Sequence, residues 1–120
     1  MGTGMDVVDF WVRSWTSDDL AGARKLLTPD VETEWNFDAP VDDEEMLQVL
    51  HRIAAFADEV TVVTRTDAID GAALIYDLVG PFGTARMVEF LGVENQKINE
   101  VRHVYDVTAV DRYFPGLYAN

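Results

Sequence analysis

The stretch Ile98-Asn99-Glu100-Val101-Arg102-His103-Val104-Tyr105-Asp106-Val107 alternates at every step. Ile98, Glu100, Arg102, Val104 and Asp106 fall on one face, and Asn99, Val101, His103, Tyr105 and Val107 on the other. Successive side chains of a strand point to opposite sides, so this period of two predicts a half-buried β-strand. The charged face turns to water. The other face carries an imidazole and a phenol among valines, on the side expected to be buried or to line a pocket.

Working backwards from this strand, three more segments show strand composition: Val60 to Thr66, Ala72 to Val79 and Thr84 to Val93. Asp70-Gly71, Gly80 to Gly83 and Glu94 to Lys97 separate them, as hairpin loops do. Before them the period is helical. Val7, Val8, Trp11, Val12 and Trp15 form one stripe, and Met46, Leu47, Leu50, Ile53, Ala54 and Ala57 another, the latter opened by Asp42 with Glu45 three residues on. A short helix from Leu20 to Leu27, capped by Ser17, is expected to stop at Thr28-Pro29-Asp30, and Val31 to Phe37 reads as a first strand. Helices followed by a strand meander predict an α+β fold, with N-terminal helices closing a curved antiparallel sheet into a cone, and residues 1–120 as a single domain.

Composition narrows the function. The chain has 120 residues, 48% of them hydrophobic, and a formal charge of −13 from nine basic and twenty-two acidic residues. Phosphate backbones and anionic lipid surfaces are bound through Lys and Arg, so neither nucleic acid nor a membrane is expected as a partner. No apolar run approaches the roughly 18 residues that span a bilayer. The N-terminus lacks a basic stretch followed by an apolar one, so a secretory signal is not expected. Cysteine is absent, which removes disulfides and thiolate chemistry and fits a cytoplasmic setting. Two histidines and no cysteine leave no His-rich metal site, and no Asp-x-Asp-x-Asp-Gly loop, phosphate-cradling glycine loop or Gly-x-Ser-x-Gly elbow occurs. No metal or cofactor is expected.

Two segments resemble the NTF2-like superfamily, within it the SnoaL-like and ketosteroid-isomerase-like group. One is Ser14 to Val31, similar to that family's opening of a helix, a short acid-capped helix and a strand. The other is Phe90 to Asp106, similar to its closing hairpin, with Asn95-Gln96-Lys97-Ile98 where Asp-Gly-Lys-Ile is usual. The resemblance spans about residues 5 to 110 and implies the cone fold, a hydrophobic pocket and a homodimer formed through the outer sheet face. Val104, Leu74 or Ile75 and the aromatic tail from Asp111 to Tyr118 are candidate contributors to that face. The group includes isomerases, epoxide hydrolases, dehydratases, polyketide cyclases and binding proteins.

The resemblance also locates site positions. The ketosteroid-isomerase donor on the first helix falls at Trp11, its general base near Trp35 and its second acid near Glu89, so two of those three roles are lost here. The Arg-x-Asp of limonene epoxide hydrolases falls at Leu78 and Gly80, while Arg65-Thr66-Asp67 lies one strand early. The acid/base aspartate of SnoaL-like cyclases falls at His103, and histidine titrates near working pH.

The candidate catalytic residues are therefore His103, Glu89 and Asp77. Glu89, between Val88 and Phe90, is a pocket acid, the partner of Arg86 or Arg102, or solvent-facing; Asp77, within Leu74 to Val79, is a pocket acid or the cross-strand partner of an arginine. The face of that strand that turns inward is left open, so Tyr76 and Asp77 are alternatives. Tyr105, Tyr76, Trp11, Trp15, Trp35 and Phe37 are candidate substrate-binding or core residues, and His51 is expected at the surface. The expected function is acid/base chemistry on an apolar, oxygenated small molecule of polyketide or terpenoid type. The alternative is a non-catalytic ligand-binding or dimerisation module.

Overall fold

A computed structural model describes residues 3–35, 42–80 and 83–105. Helix α1 (Thr3–Thr16) is followed by α2 (Leu20–Arg24), strand β1 (Leu27–Trp35), α3 (Asp43–Phe56) and strands β2 (Glu59–Ala68), β3 (Gly71–Gly80), β4 (Gly83–Glu94) and β5 (Lys97–Tyr105). The strands form one sheet in the order β1-β5-β4-β3-β2. From β2 to β5 it is an antiparallel meander, and β1 joins β5 in parallel. The sheet is thus mixed, where an antiparallel one was expected. The first strand is separated from the meander by α3, which allows the crossover that a parallel pair requires.

Local chemistry accounts for the helix ends. Asp18 adopts φ 64 between α1 and α2, a left-handed position that Asp tolerates. Asp19, not Ser17, caps α2, accepting from Gly22 N at 2.9 Å. The Ser17 hydroxyl instead bonds back to the Arg13 carbonyl at 2.6 Å. Asp42 caps α3 by accepting from Glu44 N at 2.7 Å, and Asp43, Glu44 and Glu45 place negative charge in its first turn. Strand β1 begins at Leu27 and contains Pro29, where the sequence predicted a break. An edge strand with irregular register tolerates proline, and the β1–β5 register shifts between Leu27 and Glu32.

The core lies between the helices and the inner face of the sheet. Trp11 and Trp15 of α1, Leu47 and Leu50 of α3, and Leu74 and Tyr76 of β3 are all fully buried. On β3 the inner face is Ala72, Leu74, Tyr76 and Leu78, which settles the parity left open above. Leu74 is accordingly a core residue and no part of an outer patch, whereas Ile75 and Val104 fall on the other parity. A β-bulge between β4 and β5 pairs Gly92 with Glu100 and Val93 with Ile98, leaving Asn99 extra. The bulge turns Ile98 inward with Val101 and His103, so strict alternation breaks at Ile98 and Asn99. No helix among the described residues is long and apolar enough to cross a membrane.

Candidate functional site

One row of paired residues crosses all five strands: Arg65 on β2, Leu74 on β3, Glu89 on β4, His103 on β5 and Trp35 on β1. Neighbouring strands lie about 4.8 Å apart. Glu89 and His103 therefore stand side by side on the inner face, brought together by the short Asn95-Gln96 hairpin between their strands, where both residues adopt positive φ.

Glu89 is the centre of the site. Its Oε2 accepts from Trp11 Nε1 at 3.1 Å and lies 2.8 Å from His103 Nε2, while Oε1 accepts from the Tyr76 hydroxyl at 2.5 Å. All four residues have 0% exposure. Trp11 comes from α1, and Tyr76 lies diagonally across the β3–β4 ladder, opposite Met87. The Trp15 ring meets the Tyr76 ring edge-on at 5.2 Å between centroids. Trp15 Nε1 has no hydrogen-bond partner among the described residues.

The electrostatics follow from this geometry. Burial pushes the Tyr76 phenol well above its ordinary range, and the Glu89 charge and hydrogen bond push it the same way; Trp15 and Arg65 oppose them with smaller effects. Tyr76 thus stays protonated and donates. An indole N–H can only donate. Both donate to Glu89, and with the proton of the third contact placed on His103 Nε2, Glu89 accepts all three hydrogen bonds. That leaves Nδ1 as the nitrogen that distinguishes imidazole from imidazolium.

The remaining candidates lie elsewhere. Asp77 is a correction: it sits on the outer face of β3, opposite Arg86, which donates to its carboxylate at 2.9 Å from Nε and 3.4 Å from Nη2. Parity separates it from Glu89 and His103. Arg102 pairs with Glu100 at 2.7 Å and Glu34 at 3.5 Å, so neither arginine considered for Glu89 reaches it. His51 is partly exposed and lies 2.7 Å from Asp18. Phe37 and the side chains of Trp35 and Tyr105 lie outside the described residues. Among the described residues, no group of three or more His, Asp or Glu side chains could hold a metal ion.

Sequence reasoning placed Trp11 and Tyr76 as ligand or core residues and missed that both bind Glu89. For Tyr76 the signal was present. Counting outward from Gly80 and Gly83 pairs Asp77 with Arg86 and puts Leu74, Tyr76 and Glu89 on one face. For Trp11 periodicity carried no signal, since a helix stripe does not say which strand it meets, but the resemblance puts a donor position at Trp11 and an acid position near Glu89.

No family model matches the chain, and no curated protein does. Solved structures match throughout. The chain is similar to a candidate SnoaL-like polyketide cyclase from Jannaschia sp. CCS1 (16% identity, TM-score 0.74, covering 90% of this chain and 88% of that one). It is similar to AclR, a candidate hydroxylase from Streptomyces galilaeus (20% identity, TM-score 0.75, covering 94% and 96%). It is equally similar to NT-9, a de novo designed NTF2-fold protein (21% identity, TM-score 0.71, covering 96% and 92%). The chain therefore has the NTF2-like fold. At these identities the likeness reaches the fold alone, and a designed member shows that the architecture forms in sequences with no natural history of activity.

Proposed function

We propose that this protein binds an apolar, oxygenated small molecule and performs an acid/base step on it, with His103 moving the proton. One observation carries the reading: an imidazole and a carboxylate 2.8 Å apart, both at zero exposure, with two further donors committed to the same carboxylate. Burying such a pair costs several kcal/mol per ion before its contacts are counted, and apolar residues of similar volume often serve stability as well or better. Glu89 fixes the tautomer of His103 and supports the imidazolium formed during transfer, while Tyr76 and Trp11 hold Glu89. Nδ1 is the nitrogen that takes or gives the proton. Cyclisation, isomerisation, dehydration and epoxide opening each need only a placed acid and base in a dry pocket. Because the cluster is closed, a local opening admits the ligand.

The same closure favours a second reading, in which the four residues are an internal polar network that ties α1 to β3, β4 and β5. The two readings part on ligand response. In 15N-histidine NMR, a panel of apolar ketones, epoxides and lactones is expected to move the His103 signals and leave His51 still. His103→Ala, folded by circular dichroism, is expected to lose about 100-fold or more of any turnover found with the panel. A His103 signal that ignores every compound, or turnover that survives the substitution, supports the network instead.

A further inference from the structure

A recess of about 420 Å³ lies between α1 and the edge strand β2, lined by Asp9, Val12, Arg13, Val62, Arg65 and Leu74. Small-molecule sites commonly span about 300–1,000 Å³. Val12 and Val62 form its apolar walls, and Leu74 lies behind them, fully buried.

The charges at the rim are unequally matched. Arg65 reaches across from β2 to Asp9 on α1 and donates to Asp67 at 2.8 Å. Partial burial pulls its pKa down, but the hydrogen bonds to Asp67 and Asp9 outweigh this and raise it. Arg13 follows Asp9 at the i, i+4 spacing at which an acid and an arginine on a helix pair with each other. Asp9 is taken by Arg65, and Arg13 makes no ion pair among the described residues. Its guanidinium lies over the Phe10 ring, 5.7 Å from the centroid, and that ring is 53% exposed. Arg24, Arg86 and Arg102 each pair with a carboxylate. Among the described residues, Arg13 is a guanidinium without a carboxylate beside an apolar recess, where an outside anion can bind it.

We infer that this recess binds an amphipathic carboxylate, its carboxylate on Arg13 and its apolar body over Val12 and Val62, in front of the buried Leu74. The planar guanidinium offers two parallel N–H groups that match a carboxylate, and Arg65, shared between Asp9 and Asp67, draws Asp9 away from Arg13. The site stands beside the buried cluster, since Leu74 pairs with both Arg65 and Glu89, but it does not depend on the catalytic reading.

The test is a titration with decanoate, and with decanol as its uncharged counterpart, followed by NMR of arginine Nε–H and valine and leucine methyl groups. Saturable shifts are expected at Arg13, Val12, Val62 and Leu74, with decanol at least tenfold weaker. Arg13 is exposed, so Arg13→Gln keeps the fold; it is expected to weaken decanoate at least tenfold and leave decanol unchanged, and Arg13→Lys to restore part of the loss. Equal affinity for the two compounds, indifference to Arg13→Gln, absence of saturable binding, or shifts centred elsewhere each overturn the proposal. A response of His103 alone is a shift centred elsewhere, so it overturns this site and leaves the catalytic reading standing.

Discussion

The Glu89 carboxylate takes hydrogen bonds from Trp11, Tyr76 and His103 at zero exposure, so what replaces it decides what is lost. Glutamine preserves the shape. Its amide oxygen can stand at the Oε2 position and accept from Trp11 and His103, while its NH₂ turns to the Tyr76 oxygen. Leucine preserves apolar bulk and strands three buried polar groups at once. An unsatisfied buried group costs about 1–3 kcal/mol, and breaking a buried pair about 3–5 kcal/mol. Glu89→Leu is therefore expected to lose about 3–5 kcal/mol in urea unfolding, and Glu89→Gln distinctly less. Equal losses would mean that the carboxylate shell is not made as described.

Strands β3 and β4 pair without a break from Gly71–Gly92 to Gly80–Gly83, and this unbroken ladder aligns Tyr76 with Glu89. Gly71 and Gly92 close the end of the ladder beside the bulge. A Cβ on Gly71 would stand 2.2 Å from the Leu91 carbonyl oxygen, and one on Gly92 would stand 2.9 Å from Glu100 Cβ. The first is a close approach to neighbouring backbone and the second to neighbouring side chains, and neither glycine is a turn that needs left-handed φ. Gly83, with φ +97 and open space around it, is the turn glycine of this hairpin. Gly71→Ala is expected to cost about 1–3 kcal/mol by overpacking, read as a lower urea midpoint with the m-value unchanged. An unchanged midpoint would place the strand further from Leu91 than it stands.

Linkage between protonation and folding extends the same cluster to the stability of the whole chain. The folded-state pKa of Tyr76 is raised, so the native protein keeps a proton that the unfolded chain releases near pH 10. The contribution is fully present below that pH. Above it the unfolded state binds fewer protons, and stability falls by up to about 1.4 kcal/mol per pH unit until the folded pKa is reached. Unfolding between pH 9 and 11 is expected to show this fall, and Tyr76→Phe to flatten it. Three other tyrosines share the chain, so the difference between the two proteins is the measurement, not either slope alone.

Periodicity carried most of the architecture. The stripe through Trp11 and Trp15, the alternation around His103 and the turn residues between strands report local sterics and the burial of one face, which are properties of short segments. They predicted the inward imidazole, and the matching hairpin brought Glu89 beside it. Pro29 within β1 escaped the same reasoning, because whether a strand is an edge depends on its neighbours. The parallel pairing of β1 is likewise invisible to a pattern that looks alike for either direction. Asp77 and Tyr76 alternate identically on paper, and the register with Arg86 and Met87 decided that one faces outward and the other binds Glu89. Trp11 reaches that carboxylate from 78 residues away, and Arg65 turns Asp9 from Arg13 across the gap between strand and helix. Short-range chemistry chose the elements and the sides they bury. Long-range packing alone chose which polar atoms meet, since hydrogen bonds act over about 3 Å and the chain brings them to that distance only when it closes.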